Sequence, residues 1–97
     1  MKVEYHPAIE DELRIIIKYY EDYSQGLGLE FLDEFERQIL KISSMPSSWM
    51  IVEDDIRRSM MKRFPYVIYF RAVDENTLRV TVVKHQRRHP IFGRRRK

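Results

Sequence analysis

The sequence predicts an α+β domain in which a helical hairpin packs on one face of a mainly antiparallel twisted sheet. Residues 9–23 and 27–44 place apolar side chains three and four positions apart, the period of amphipathic helices. Residues 57–88 alternate apolar and polar side chains with one break at residues 74–76, the pattern of half-buried strands joined by a tight turn. A short alternating segment precedes the helices, so the predicted order is β-α-α-β-β-β.

Length and composition indicate one small domain. A chain of 97 residues is typical of a single domain, and it has no cysteine. The lack of cysteine excludes a disulfide framework or a thiolate metal site and is typical of a reducing compartment. No apolar run is long enough for a signal peptide or a membrane span. We therefore expect a soluble cytoplasmic protein with no cofactor.

The charges divide the chain into an acidic and a basic half. Residues 1–56 carry 5 basic and 13 acidic side chains, whereas residues 57–97 carry 13 basic and 2 acidic ones. Such asymmetry indicates a surface for a polyanion or an acidic protein segment. The alternative is a solvated surface that ends in a basic flexible tail, which we place at residues 91–97.

The two helices are predicted from their apolar stripes. Pro7 is placed to begin the first helix, since its missing N–H would be unpaired there, and His6 would be a poor capping residue. The second helix is expected from Leu27 to Ser44, because Pro46 forbids continuation. The stripes that we expect in the core are Ile9, Leu13, Ile16 and Tyr20 in the first helix, and Phe31, Phe35, Ile39 and Ile42 in the second.

The segment 46–53 is predicted to be a loop that holds the only tryptophan, Trp49, which we expect at the edge of the core. Three adjacent carboxylates follow at residues 53–55. Adjacent carboxylates cannot all face one ion without an unusual loop, so we interpret them as a solvated turn and expect no metal site.

The predicted sheet combines a short edge strand with a meander of three longer strands. One face is expected to cover the helices, and the other to be open, aromatic and basic. The strands are expected at residues 2–5, 56–62, 66–73 and 77–84.

Several segments together resemble a known family of toxins. They are G-x-x-F-L-D-E-F at residues 28–35, I-R-R at 56–58, K-R-F-P-Y-V-I-Y-F-R at 62–71 and V-x-x-V-K-H-Q-R-R-H-P at 80–90. In this order the chain resembles the RelE/ParE superfamily from type II toxin–antitoxin modules, and more closely its ParE-like, plasmid stabilisation branch. The resemblance implies one toxin domain over residues 1–90 and a cognate antitoxin as partner.

The resemblance implies two alternative activities. RelE-like members cut messenger RNA on the ribosome, whereas ParE-like members poison DNA gyrase without nuclease chemistry. RelE-like nucleases tend to carry extra lysines in the loop between the second helix and the sheet, and the loop PSSWMIVED has none. This departure favours the ParE-like activity. A plain nucleic-acid-binding module is the third hypothesis.

Candidate site residues follow from what metal-free RNA cleavage would need, namely an acid, a base and cations for the phosphate. His85 could be the acid, and it resembles by position the strand-end histidine of some nuclease members. Tyr66 could stack on a base. Arginine forks suit phosphate or the carboxylates of an acidic antitoxin segment. The candidate catalytic residues are His85, Arg63, Arg87 and Tyr66, and the candidate phosphate-binding or partner-binding residues are Arg57, Arg58, Lys62, Arg71 and Arg88.

Overall fold

Two helices and five strands make up most of the chain in the computed structural model, which describes all 97 residues. The α+β class and the helical hairpin are confirmed, and one strand is added to the expected order. A single 3-10 turn, Pro46–Ser48, follows the second helix. The elements are β1 Lys2–Tyr5, α1 Ala8–Tyr23, α2 Leu27–Ser44, β2 Met50–Glu53, β3 Ile56–Met60, β4 Tyr66–Asp74 and β5 Thr77–His85.

The strands form one mixed sheet in the order β1-β5-β4-β3-β2. The edge strand β1 runs parallel to β5, and every other neighbouring pair is antiparallel. Because β3, β4 and β5 alternate in direction, one end of the sheet gathers the loop between β3 and β4 and the end of β5. The opposite end gathers the two tight turns at residues 54–55 and 75–76.

The prediction that residues 46–53 form only a loop is wrong, because the segment contains strand β2. Met50 and Ile51 pair with Arg58 and Arg57 of β3, and the register shifts between Ile51 and Glu53. The strand has four residues, and all but Val52 are exposed. No alternation of buried and exposed positions therefore marks it in the sequence. Trp49 packs against the main core, as expected.

A carboxylate of α1 stabilises the tight connection between the helices. Glu21 accepts hydrogen bonds from the backbone N–H groups of Gly26, at 2.8 Å, and Gly28, at 3.0 Å. These N–H groups begin α2 and would otherwise lack a partner. Gly26 has a φ of 86°, a conformation that glycine adopts without steric cost. The turn thus holds the two helices as an antiparallel hairpin.

The main core lies between the helical hairpin and one face of the sheet. The α2 side chains Phe31 and Ile42 are fully buried there, and so is Ile68 of β4. Burial of a side chain of this size stabilises the fold by about 1.5–3 kcal/mol. The core residues shared by helices and sheet include Ile9, Ile16, Phe31, Phe35, Ile39, Ile42, Ile68, Phe70, Leu78 and Val80.

The opposite face of the sheet carries a second, smaller core. Ile56, Val67, Tyr69 and Val82 are buried there, and Phe92 covers them. Our expectation of an open, aromatic and basic face is therefore wrong. Tyr69 is only 5% exposed, because the chain after β5 folds back across this face. The sheet is consequently buried on both sides near its centre.

The segment that folds back is residues 88–97, which we call the C-terminal strap. Lys84, only 5% exposed, donates from Nζ to the carbonyl oxygens of His89, Pro90 and Phe92, at 3.0–3.3 Å. At the far end of the strap, Arg96 makes a two-pronged bond to Glu12 of α1, with both distances 2.8 Å. Residues 91–97 are thus packed against the fold, while their mobility in solution stays a prediction.

Candidate functional site

Charges of opposite sign occupy the two ends of the sheet. The end formed by the β3–β4 loop and the residues after β5 carries four exposed cations, which we call the basic end: Lys62, Arg63, Arg87 and Arg88. The opposite end carries five carboxylates in and beside its two turns, and cations of the strap lie near the first turn: Glu53, Asp54, Asp55, Asp74 and Glu75, with Arg94, Arg95 and Lys97. The basic end thus meets the requirement for a surface that attracts a negatively charged partner.

His85 and Tyr66 lie side by side at the basic end. They are direct partners across β4 and β5, and their rings meet edge to face with centroids 5.3 Å apart. The Nδ1 atom of His85 accepts a hydrogen bond of 3.0 Å from the backbone N–H of Arg87. The Nδ1 atom is thus used within the chain, and Nε2 is the ring nitrogen left for another contact.

Tyr66 belongs to an aromatic cluster between the helices and the sheet. Its ring lies 6.2 Å from Tyr20 and 5.3 Å from Phe31, measured between centroids. Burial raises the pKa of Tyr66, and the nearby Tyr19 raises it further. Burial also raises the pKa of Tyr20. Both hydroxyls therefore remain protonated near neutrality and cannot serve there as a general base.

The β3–β4 loop is held in place by two carboxylates of α2. Glu34 is buried, and its Oε2 atom accepts hydrogen bonds from the backbone N–H groups of Lys62, at 2.9 Å, and Arg63, at 3.1 Å. The Arg63 guanidinium bonds Glu30 at 2.7 Å, and this hydrogen bond raises the pKa of Arg63. Arg63 is thus occupied by a carboxylate of its own chain, whereas the Lys62 side chain is exposed.

Arg87 and Arg88 complete the basic end after β5. The backbone N–H of Gln86 donates to the carbonyl of Pro65 at 2.8 Å, which places this segment beside the β3–β4 loop. Arg88 stacks on Phe92 of the strap, with Cζ 4.0 Å from the ring centroid. Arg87 is exposed and makes no salt bridge within the chain. Lys62 and Arg87 are therefore available to an external anion.

Three of the sequence-predicted residues lie away from the basic end. Arg57 faces the helices and bonds the carbonyls of Ser47 and Trp49, where it fixes the segment before β2. Arg71 is bonded through two nitrogens to Asp55 beside the acidic turn. Arg58 is exposed on the strap side of β3, opposite Tyr69. The structure brings together His85, Tyr66, Arg63, Arg87, Lys62 and Arg88.

Sequence reasoning missed the residues that position this end. Glu34 reads as part of the charged face of α2, yet it is only 7% exposed. Gln38 likewise donates to Ser59 of β3 from within the core. Lys84 continues the strand pattern of β5, with no local signal that its ammonium is enclosed. These roles depend on contacts between residues distant in sequence, so no periodicity reports them.

The sequence matches the family described as the ParE toxin of the type II toxin–antitoxin system parDE over residues 3–90. The chain belongs to this ParE toxin family. Membership implies an antitoxin as the partner of this protein. The comparison with curated proteins gave no match.

A solved structure supports the same fold. The chromosomal ParDE system from P. aeruginosa matches with a TM-score of 0.75 and 13% sequence identity, over 88% of this chain and 95% of that one. At this identity the likeness shows the fold. No helix of the ParE-family chain has the length and apolar character needed to cross a membrane.

Proposed function

We propose that this ParE-family protein inhibits growth by binding and poisoning DNA gyrase, and that a cognate antitoxin neutralises it in the cytoplasm. The observation that carries the proposal is the composition of the basic end. Lys62 and Arg87 are exposed there without carboxylate partners, beside a histidine held as a hydrogen-bond acceptor. This arrangement suits binding to a negatively charged surface and offers little for proton transfer.

Neutralisation follows from the same charges. An antitoxin segment rich in Asp and Glu would pair with Lys62, Arg87 and Arg88 and cover the surface that the target needs. The antitoxin and the target would then compete for the basic end. Because these cations are exposed, binding should weaken as the salt concentration rises.

A ribosome-dependent endoribonuclease is the second candidate. The observation in its favour is that Tyr66, His85 and Arg87 lie together at one end of the sheet. Against it, the raised pKa of Tyr66 disfavours its use as a general base, and Arg63 is already paired with Glu30. A plain nucleic-acid-binding module would use the same cations for affinity alone.

The first experiment combines induced expression with purified components. We expect a DNA-damage response before any arrest of translation, and inhibition of supercoiling by purified gyrase. The double variant Lys62→Ala/Arg87→Ala should lose both effects. The matched control Lys2→Ala/Lys41→Ala removes two exposed cations elsewhere and should keep them. Translation arrest without any effect on gyrase would contradict the proposal.

The variant His85→Asn separates binding from nuclease chemistry. The asparagine carbonyl can still accept the N–H of Arg87, but it has no imidazole to transfer a proton. Under the gyrase proposal the variant stays toxic and still binds the antitoxin. Loss of toxicity with antitoxin binding intact would favour the endoribonuclease.

A further inference from the structure

A second charged cleft lies far from the basic end, on the face of the sheet that the strap crosses. It has a volume of about 1100 Å³ and opens between the β2–β3 turn and the last residues of the strap. Arg71 lines it from β4, and Arg94 and Arg95 line it from the strap. The carboxylates Glu53, Asp54 and Asp55 also line it. The proposed function does not use this cleft.

Two guanidinium donors at this face have no acceptor. The Nε atom of Arg94 is buried without a hydrogen-bond partner, and so is the Nε atom of Arg79. Each guanidinium reaches a carboxylate only through its Nη1 atom, which in Arg94 lies 3.8 Å from Glu53 and in Arg79 lies 3.5 Å from Glu4. Buried polar groups in folded proteins are almost always paired, so a ligand that offers an acceptor to Arg94 would be favoured.

Two arginines on this face of the sheet also lie directly opposite each other. Arg71 and Arg79 are direct partners across β4 and β5, and like charges in that position are destabilising. Arg71 is satisfied by Asp55, whereas Arg95 and Lys97 are exposed at the cleft without a carboxylate partner. Glu4 and Asp55 already offset the repulsion between Arg79 and Arg71, so the cations left for an anion in the cleft are those of the strap.

We propose that this cleft binds a compact phosphate-bearing ligand, with Arg94 as the main contact and Arg95 and Lys97 at its rim. A guanidinium fork matches two oxygens of one phosphate group, so Arg94 can bond the ligand better than it bonds Glu53. The acidic side chains of the β2–β3 turn limit the ligand to one or two phosphate groups, because they repel a longer polyanion. Glu53 competes with the ligand for Arg94.

The test is a titration of the full chain with pyrophosphate at constant ionic strength. Binding is measured by isothermal calorimetry and by the chemical shifts of the backbone amides. We expect saturable binding with shifts at residues 53–55 and 93–97. Arg94→Gln should weaken binding at least tenfold, and Glu53→Gln should tighten it. Arg37→Gln removes the same charge from an exposed position on α2 and should leave the affinity unchanged.

Two further arms make the result decisive. If Arg94→Gln lowers the melting temperature, Arg94→Lys keeps the charge, loses the fork and should still weaken binding. A single-stranded oligonucleotide should bind with affinity that depends on Arg87 and not on Arg94. Absence of saturable pyrophosphate binding to both the wild type and Glu53→Gln, or equal loss in the Arg37 control, would overturn the proposal. Gyrase inhibition is measured separately, so either proposal can fail alone.

Discussion

Gly28 of α2 rests directly on the backbone of Ile17 in α1. A Cβ atom added at Gly28 would lie 2.6 Å from the Ile17 carbonyl oxygen and 3.1 Å from Oε1 of Glu21. The oxygen of Ile17 belongs to a helix and cannot move without moving the helix. This contact fixes the separation of the two helices at the turn that joins them, and it depends on the absence of a side chain.

Replacing Gly28 by alanine should destabilise the protein strongly. The helices must separate to admit the methyl group, which disturbs the core around Phe31, so we expect a loss of about 2–3 kcal/mol, as for an overpacked core. Gly26→Ala is the matched control, since nothing lies within 4 Å of its added Cβ. Its positive φ should cost only about 1–2 kcal/mol. Urea denaturation measures both, and an equal or smaller loss for Gly28→Ala would contradict the contact.

Lys84 should anchor the C-terminal strap. In Lys84→Met the side chain still covers Tyr69, but the carbonyls of His89, Pro90 and Phe92 lose their shared donor. Unpaired carbonyls favour water, so we expect the strap to open and trypsin to cut after Arg94–Arg96 several-fold faster. Lys41→Met removes an exposed cation of α2, leaves the trypsin sites of the strap intact and is the control. Equal cleavage rates in Lys84→Met and the wild type would contradict the role of Lys84 as the anchor of the strap.

The sequence predicts the elements that depend on local patterns, and it does not predict contacts between residues that are distant in the chain. Apolar spacing predicted α2 at Leu27–Ser44 as observed, and alternation placed β4 and β5 within one residue of their ends. Those signals are local. The prediction of an open sheet face was wrong. Residues 91–97 contain one aromatic residue and one glycine among basic side chains, which is the composition of a flexible tail. Only the fold shows that Phe92 covers a second core and that Gly93 lies against Val82.

The same difference between local sequence signals and long-range contacts applies to the candidate site. The sequence predicted the cations of the basic end as candidate site residues, because the charge asymmetry can be counted without a structure. It could not separate Arg87, which is exposed without a salt bridge, from Arg71, which is held by Asp55. The partner carboxylate stands 16 residues away in the chain. Only pairing across the sheet decides which arginines a partner can reach.

His6 should make stability depend on pH. Burial lowers the pKa of His6, and the cations Arg96 and Arg79 lower it further, against an opposing effect of Glu12. Its Nδ1 also accepts the N–H of Ala8 at the start of α1, which protonation would break. The unfolded chain therefore takes up the proton first. The stability that neutral His6 contributes is complete above its ordinary pKa of 6.5 and declines as the pH falls below it.

The variant His6→Asn measures this contribution. An asparagine oxygen can accept the same backbone N–H, so the fold should persist, but the decline in melting temperature below pH 6.5 should become smaller. His89→Asn is the control, because His89 makes the same kind of bond to Ile91 from an exposed position. An unchanged pH profile in His6→Asn would contradict the assignment.

The pair of Glu12 and Arg96 should couple the strap to α1 more strongly than a surface ion pair would. Both bonds are 2.8 Å, and the two side chains are only 21% and 19% exposed, so water screens the pair less than it screens Lys18 and Asp22, which are 74% and 66% exposed. Two-pronged geometry adds strength to a charged hydrogen bond. A double-mutant cycle with Glu12→Gln and Arg96→Gln should give about 1–2 kcal/mol of coupling, whereas Lys18→Gln and Asp22→Asn should give about 0.3–0.5 kcal/mol. Equal coupling in the two cycles would mean that the strap is held by Phe92 and Lys84 alone, and Arg96 would then be free to serve the neighbouring cleft.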